Sequence, residues 1–424
     1  MSRVMALRHR PGARKIFSNI VYLSMQQAVN YLLPLITVPY LVYTLGTERY
    51  GLLAFAAAFV FYFQVIIDYG FNYSAVQSVS VHRSDPRELS RIFFSVTAIK
   101  MAFACVCLGV LLLLTACVPL FHKHEALYLW TFAATAGTIF FPVWFFQGAE
   151  EMKYITIFNF ILRGGAMALF FVFIRAPDDY MWVPWLNAAG SVLVGVMSMV
   201  ILFVKFRIVP VAPDRATAAE LLKNGLRIFF SLVASTLFNN TNTFILGIFS
   251  NNYVVGTYAV AEKIVRACVA LSVPVSNAIY PRTVLLFKES RERALSFLRK
   301  ILFGGSALFG CVSVLLFFFA GPIVLLVTGT HNDTAVLLVR ILAILPLSVF
   351  ADNIFGVQVL LNIGGMQTKF LRATIAAGLL SIVMQLALVP RFSAYGTAVS
   401  FLAAELCILI MYIIPVRRAG FKLP

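Results

Sequence analysis

The chain has 424 residues, 61% of them hydrophobic and only 12% charged, with a mean hydropathy of +0.90. Soluble domains carry roughly a quarter charged residues, so the composition excludes an ordinary soluble enzyme. The formal net charge of +17 would suit a nucleic-acid partner, but no polar segment is long enough to form a binding domain. An excess of Lys and Arg in short loops between apolar runs is instead the signature of cytoplasmic loops in membrane proteins.

The chain opens on Arg3, Arg8, Arg10, Arg14 and Lys15, followed by an apolar run that contains Gln26, Gln27 and Asn30. That run is too long for a secretory leader and no small-residue cleavage site follows it, so it reads as a basic tail entering a first permanent span. Runs of roughly 20 apolar residues cross the hydrocarbon core as helices. They are continuous here rather than alternating with period two, against a β-barrel. Their spacing predicts an all-α polytopic membrane protein with twelve helices, near 19–45, 50–78, 92–118, 127–147, 154–174, 181–204, 221–249, 254–280, 297–319, 334–361, 370–389 and 395–415. The stretch 321–333 either extends the ninth span or forms a short re-entrant turn. Six cysteines, Cys105, Cys107, Cys117, Cys268, Cys311 and Cys407, fall in or beside apolar runs in no metal-ligand spacing, and read as small apolar residues.

With the N-terminus in the cytoplasm, 25 Lys and Arg fall on the inner side and four on the outer side. That asymmetry predicts both termini inside. The longest polar connection, 205–227, divides the chain into two six-helix lobes, 1–210 and 211–424, around a central cavity. The lobes begin alike: "RYGLLAFAA" from Arg49 aligns with "VVGTYAVAE" from Val254, placing Gly51 on Gly256. This fits a parallel repeat with a substrate path between its halves.

The first span carries Gln26, Gln27 and Asn30, and the seventh carries Asn239, Asn240, Asn242 and Thr243. Amides in hydrocarbon face a partner helix or a wet cavity. With Pro34 and Pro39 permitting bends in the first helix, we read the two stripes as cavity lining. Five basic residues also lie within spans: Lys100, Arg163, Lys263, Arg266 and Arg340. Each costs on the order of 2.5–3.5 kcal/mol to insert at a span centre. Lys263 and Arg266 share one helix face, Glu262 is spaced to pair with Arg266, and Gly164 and Gly165 beside Arg163 would allow close helix approach. An internal cationic cavity would attract phosphate or another anion. Lys100 and Arg340 lie nearest span ends, where ion pairing or snorkelling competes with that role. Asp68, Asp352 and Glu405 are the other acidic residues in or at the ends of spans. Asp352 and Glu405 are the better candidates for a proton or sodium coupling site. No phosphate loop or metal-ligand spacing is present, so no cofactor is expected.

Three stretches, "NYLLPLITVPYLVYTLGTERYGLLAFA" from Asn30, "DYGFNYSAVQSVSVHRSD" from Asp68 and "FFPVWFFQGAEEMKYITIFNFILR" from Phe140, resemble the O-antigen and polysaccharide repeat-unit flippases of the Wzx type. The match is clear over the first half; the second fits by topology and by "VVGTYAVAEKIVRA". The resemblance implies membership of the superfamily that includes multidrug extruders and the lipid II flippase, and a location in the bacterial inner membrane. It implies an undecaprenyl-diphosphate-linked oligosaccharide as substrate. The polysaccharide polymerase and chain-length regulator of the same pathway are the implied partners. It also suggests a cytoplasmic gate built from Asp68, Glu150, Glu151 and Lys153. An ion-coupled drug or metabolite extruder is the alternative within the superfamily. A polymerase or ligase would carry a large outer loop, and the outer segments are short.

Overall fold

The computed structural model describes residues 11–83, 85–363 and 366–418. Outside them lie residues 1–10, with the first arginines of the basic tail, and 419–424, with Lys422. The side chains of Arg227 and Asn239 also lie outside the described residues. All described secondary structure is helical. The helices are α1 (Pro11–Asp68), α2 (Phe71–Val81), α3 (Pro86–Cys117), α4 (Glu125–Gly137), α5 (Val143–Gly148), α6 (Met152–Phe173) and α7 (Trp182–Lys205). They continue as α8 (Arg215–Phe249), α9 (Asn252–Ala270), α10 (Ser272–Glu289), α11 (Arg291–Phe318), α12 (Ala320–Thr328), α13 (Asp333–Leu342), α14 (Leu345–Asp352) and α15 (Gln367–Arg418). A π-helical turn, Asn353–Leu360, follows α14.

Eight stretches among the described residues are helical, long and apolar enough to cross a membrane. Two of these contain two arms each: α1 breaks at Gly46 (φ 79°, ψ 159°) and α15 at Ser393 (φ 51°, ψ −128°). With both arms counted, and with the more polar α8 and α9, the helices occupy the twelve expected positions. Expected spans are also interrupted. The second ends at Asp68, where Tyr69 (φ 43°) and Gly70 (φ 82°) turn the chain into α2. The fourth divides at Phe141–Pro142, and the eighth at Leu271. The stretch 321–333 does not continue α11 as one helix. It is the separate helix α12, ended by left-handed Gly329 (φ 69°), the usual glycine stop. Helix starts follow local capping chemistry: Asp85 accepts from the Arg87 and Glu88 amides with Pro86 behind it, and Asn251 and Asn332 cap α9 and α13.

The chain divides into two compact units, Met1–Thr37 with Phe59–Leu232, and Val38–Ala58 with Val233–Pro424. These differ from the halves 1–210 and 211–424 in two ways. The first part of α8, up to Leu232, belongs to the first unit, and the segment around the Gly46 turn belongs to the second. The first difference has a local cause. Phe229 stacks on Tyr69 at 4.8 Å, and a Cβ at Gly70 would lie 2.9 Å from Ile228, so α8 starts on the Asp68–Phe71 corner. The connection before it is tied down as well, since the Val209 amide donates to Ser90 Oγ at 3.0 Å. The core of the first unit gathers Phe71, Phe93, Trp144, Phe145, Phe146 and Phe158, all at most 2% exposed. That of the second gathers Leu298, Phe309, Phe350, Ile354 and Ala404, again at most 2% exposed.

The second difference lies at the glycines aligned by the internal repeat. Within the second unit Gly51 and Gly256 meet each other. A Cβ on Gly51 would collide with the Asn252 carbonyl and the Gly256 amide, and one on Gly256 would collide with the Thr47 carbonyl. The second arm of α1, after the Gly46 break, therefore packs backbone to backbone on α9. Backbone cannot rotate aside as a side chain can, so Gly51→Ala and Gly256→Ala each lower stability by roughly 1–3 kcal/mol. Gly109, where a Cβ meets nothing within 4 Å, is the control: Gly109→Ala leaves thermal unfolding unchanged or raises the midpoint slightly.

Asp214 precedes α8 and accepts from Thr217 twice, from its hydroxyl at 2.6 Å and its amide at 2.9 Å. These hydrogen bonds, the hydroxyl first, hold the Asp214 carboxyl below the usual carboxylate range. The cap thus contributes stability above the ordinary carboxylate pKa and loses it as pH falls through the lowered value. Amide exchange in the first turn of α8 is expected to speed up in Asp214→Ala at neutral pH, and in the wild type only under strongly acidic conditions.

Candidate functional site

In the first unit, α1 and α6 start side by side. Asn19 Nδ2 donates to the Glu150 carbonyl at 3.3 Å and Thr156 Oγ1 to the Tyr22 carbonyl at 2.8 Å. The two bonds climb together along both helices, so the helices run parallel. At a rise of about 1.5 Å per residue, Arg163 on α6 then comes level with Asn30 on α1. Arg163 is exposed and has no hydrogen bond or ion pair to a described residue. Asn30 Oδ1 is buried without a donor among the described residues, and Gln26 and Gln27 are half-buried on the same helix. The expected role of the neighbouring glycines is corrected. A Cβ on Gly165 meets nothing within 4 Å and one on Gly164 meets only Phe160 of the same helix, so no helix packs closely there. The glycines leave room beside the guanidinium.

The other charges of this unit are engaged locally. Lys100 Nζ lies 2.7 Å from Asp68 Oδ1, with the lysine side chain 4% and the aspartate 24% exposed. Lys100 therefore lines no open surface; it neutralises Asp68 at the α1–α2 corner. Glu150 pairs with Arg83 at 2.8 Å, and Arg83 Nε donates to the Gly148 carbonyl at 2.7 Å. Glu151 pairs with Lys205 at 2.9 Å and lies 3.6 Å from Lys153. Lys205 sits 4.8 Å over the Tyr154 ring. Each of these pairs ties elements of a single unit together, at the end of α2, the start of α6 and the end of α7. Arg83 and Lys205 were missed in the sequence because nothing in their spacing points to residues 150 and 151.

In the second unit, Arg266 forms a two-point contact with Glu262. Its Nη2 lies 2.8 Å and its Nε 2.9 Å from Oε1, while 37% of the arginine side chain stays exposed. The guanidinium lies 5.6 Å from the centre of the Phe401 ring. Glu262 Oε2 accepts from Thr243 at 3.3 Å, which binds α9 to α8. Lys263 is exposed on α9. Glu405 is 4% exposed and lies near enough to Asp352 and to Arg266 to interact electrostatically with both. The structure thus brings Glu262, Arg266, Asp352 and Glu405 into one cluster.

Asn242 is fully buried and accepts from Gln385 Nε2 at 2.8 Å, while Gln385 also reaches Ser381 at 2.9 Å. This amide joins helices and lines no cavity; Asn240 is half-buried. Gln385 was missed, although a lone amide in the run "SIVMQLALV" is its signal. Arg340 is also corrected. It is exposed on α13, donates to the Phe317 carbonyl at 3.4 Å and lies 5.7 Å from that residue's ring. It anchors α13 to α11 and has no place in the cluster.

Replacing Lys100 leaves a largely buried carboxylate without its counter-charge, a loss of about 3 kcal/mol. Lys100→Met is therefore expected to lower the unfolding midpoint strongly, and adding Asp68→Asn to restore much of it, as read by thermal unfolding of the purified protein.

The profile of the family described as "Polysaccharide biosynthesis protein" matches residues 16–287. The chain is 31% identical over 401 residues to the "Putative O-antigen transporter" of Escherichia coli (strain K12), covering 94% of this chain and 96% of that one. It is 24% identical over 405 residues to the protein of the same name from Shigella dysenteriae, covering 94% and 99%. Its fold matches an inward-facing multidrug resistance MATE family transporter of the MOP superfamily at a TM-score of 0.71 and 15% identity, over 95% of this chain and 98% of that one. It also matches the lipid II flippase MurJ in an inward closed conformation at 0.66 and 12%, over 96% and 88%. The chain, a multi-pass membrane protein and not an enzyme, therefore belongs to the polysaccharide biosynthesis protein family, in keeping with the resemblance of its motifs to the Wzx-type flippases.

Proposed function

We propose that the protein moves an undecaprenyl-diphosphate-linked oligosaccharide, an O-antigen or related repeat unit, from the cytoplasmic to the periplasmic leaflet of the bacterial inner membrane. It does so by alternating access, with both termini in the cytoplasm. The observation that carries the reading is the exposed Arg163. It is a guanidinium on an apolar helix with no partner among the described residues, level with a buried amide oxygen that lacks a donor. Such a cation is costly in hydrocarbon and well suited to a diphosphate, which it can grip through two parallel hydrogen bonds. Lys263 and the exposed part of Arg266 offer the same chemistry on the second unit. The lipid tail stays in the bilayer while the charged and sugar portions cross. The placement of 25 inner against four outer basic residues supports the orientation. The polymerase and chain-length regulator of the pathway are the partners this role calls for.

Proteoliposomes holding a lipid-diphosphate oligosaccharide, probed with a membrane-impermeant lectin, test the reading. Each charge-assisted contact is worth about 1.5–3 kcal/mol, so Arg163→Ala, Lys263→Ala and Arg266→Ala are expected to slow translocation by roughly 10- to 100-fold. Arg340→Ala is expected to translocate at the wild-type rate. Folded variants that all translocate at the wild-type rate would place the diphosphate elsewhere. A wild type that exports small cations and leaves the lipid in place would favour the extruder.

A further inference from the structure

A single serine grips a wide helical turn in the second unit. The chain leaves α14 at Asp352 and winds as a π-helix over Asn353–Leu360. The Leu361 amide closes it by donating to the Gly356 carbonyl at 3.2 Å, five residues back. Ser276 of α10 faces this turn. Its hydroxyl donates to Asn353 Oδ1 at 2.5 Å and accepts from Gln358 Nε2 at 3.1 Å. Gln358 Nε2 also donates to the Ser276 carbonyl at 3.2 Å. Asn353 and Gln358 are five residues apart in the chain. In α winding, positions five apart sit about 140° from each other around the axis. In π winding they are successive members of the hydrogen-bonded ladder and share a face. Ser276 therefore reaches both amides only while the turn is π-wound.

The grip is incomplete. Gln358 Oε1 and Asp352 Oδ1 are buried with no hydrogen bond from a described residue, a cost that the π form carries. Gly356, within the turn, rests on α15: a Cβ there would lie 2.7 Å from the Tyr412 ring and 3.1 Å from the Phe370 ring. These rings stack at 5.2 Å, and the Tyr412 hydroxyl is engaged with Thr374 at 2.9 Å. They offer the turn a flat contact rather than a directional bond. We propose that Asn353–Leu360 is a two-state winding switch, locked in its π form by Ser276. Released, the turn tightens to α winding, and each amide bonds one residue nearer. Asn362, whose Nδ2 donates to the Val357 and Gln358 carbonyls at 3.3 and 3.0 Å, then turns relative to Asp352, and the chain entering α15 turns with it. Packed elements change between discrete arrangements of this kind rather than deforming continuously. The lock is independent of the flippase reading; that the switch is thrown during translocation rests on it.

Electron cryomicroscopy of the full-length protein in nanodiscs reads the winding directly, with the wild type, Ser276→Ala and Ser276→Thr side by side. The wild type and Ser276→Thr, which keeps the hydroxyl, are expected to show the π turn. Ser276→Ala loses both hydroxyl contacts, which is expected to shift the balance toward α winding by roughly tenfold or more. Gln358→Leu removes one end of the grip and gives the same reading if Ser276→Ala does not fold. In the proteoliposome assay above, a turn biased to one winding is expected to slow translocation by roughly tenfold in Ser276→Ala, with Ser276→Thr close to the wild-type rate. A π turn that persists in both Ser276→Ala and Gln358→Leu overturns the lock. An α-wound variant that translocates at the wild-type rate overturns the switch. A wild type that moves no lipid overturns the flippase reading and the coupling of the switch to translocation, while the winding comparison still decides the lock.

Discussion

A charge or amide surrounded by hydrocarbon must find a partner or water, and this constraint orders most of what is polar here. Lys100 finds Asp68, Arg266 finds Glu262, and Asn242 finds Gln385. Each pair joins helices, or turns of one helix, within a single unit. Each therefore fixes packing where apolar side chains alone discriminate weakly, since lipid is as apolar as leucine. What these pairs leave over is informative. Arg163 and part of Arg266 remain exposed in otherwise apolar helices, which is what the proposed diphosphate role requires of them.

Backbone geometry follows a second rule, close approach where the internal repeat meets itself. Gly51 and Gly256 hold equivalent places in the two repeats and meet in one contact. Neither tolerates a Cβ because the opposing atoms are backbone. The segment Val38–Ala58 accordingly belongs with the second unit, although α1 begins in the first. Likewise α8 begins on the Asp68–Phe71 corner, held by Tyr69, and ends in the second unit.

Much of this was legible in the sequence. Apolar run length set the helix positions, since it is a direct consequence of bilayer thickness. The i, i+4 spacing of Glu262 and Arg266 announced their pair. The repeat alignment placed Gly51 on Gly256, though not in contact. Illegible were the pairings across distant sequence: Arg83 with Glu150 and Lys205 with Glu151 depend on which helices become neighbours, and hydropathy does not encode that. For the same reason Lys100 and Arg340 were grouped with Arg163. A basic residue in an apolar run looks the same whether its partner is a buried carboxylate, a helix carbonyl or an open recess. The glycines beside Arg163 misled in the same way, because glycine permits close packing and equally permits empty space.

The proposed diphosphate role requires Arg163, Lys263 and Arg266 each to be reachable from water. The most direct measurement substitutes each in turn by cysteine on a background lacking the six native cysteines, three of which are themselves exposed. Labelling by a membrane-impermeant thiol reagent is then compared with labelling by a lipid-soluble one in intact membranes. The impermeant reagent is expected to label all three positions, and added lipid diphosphate to protect them. Labelling by the lipid-soluble reagent alone would put these side chains in the bilayer and contradict it.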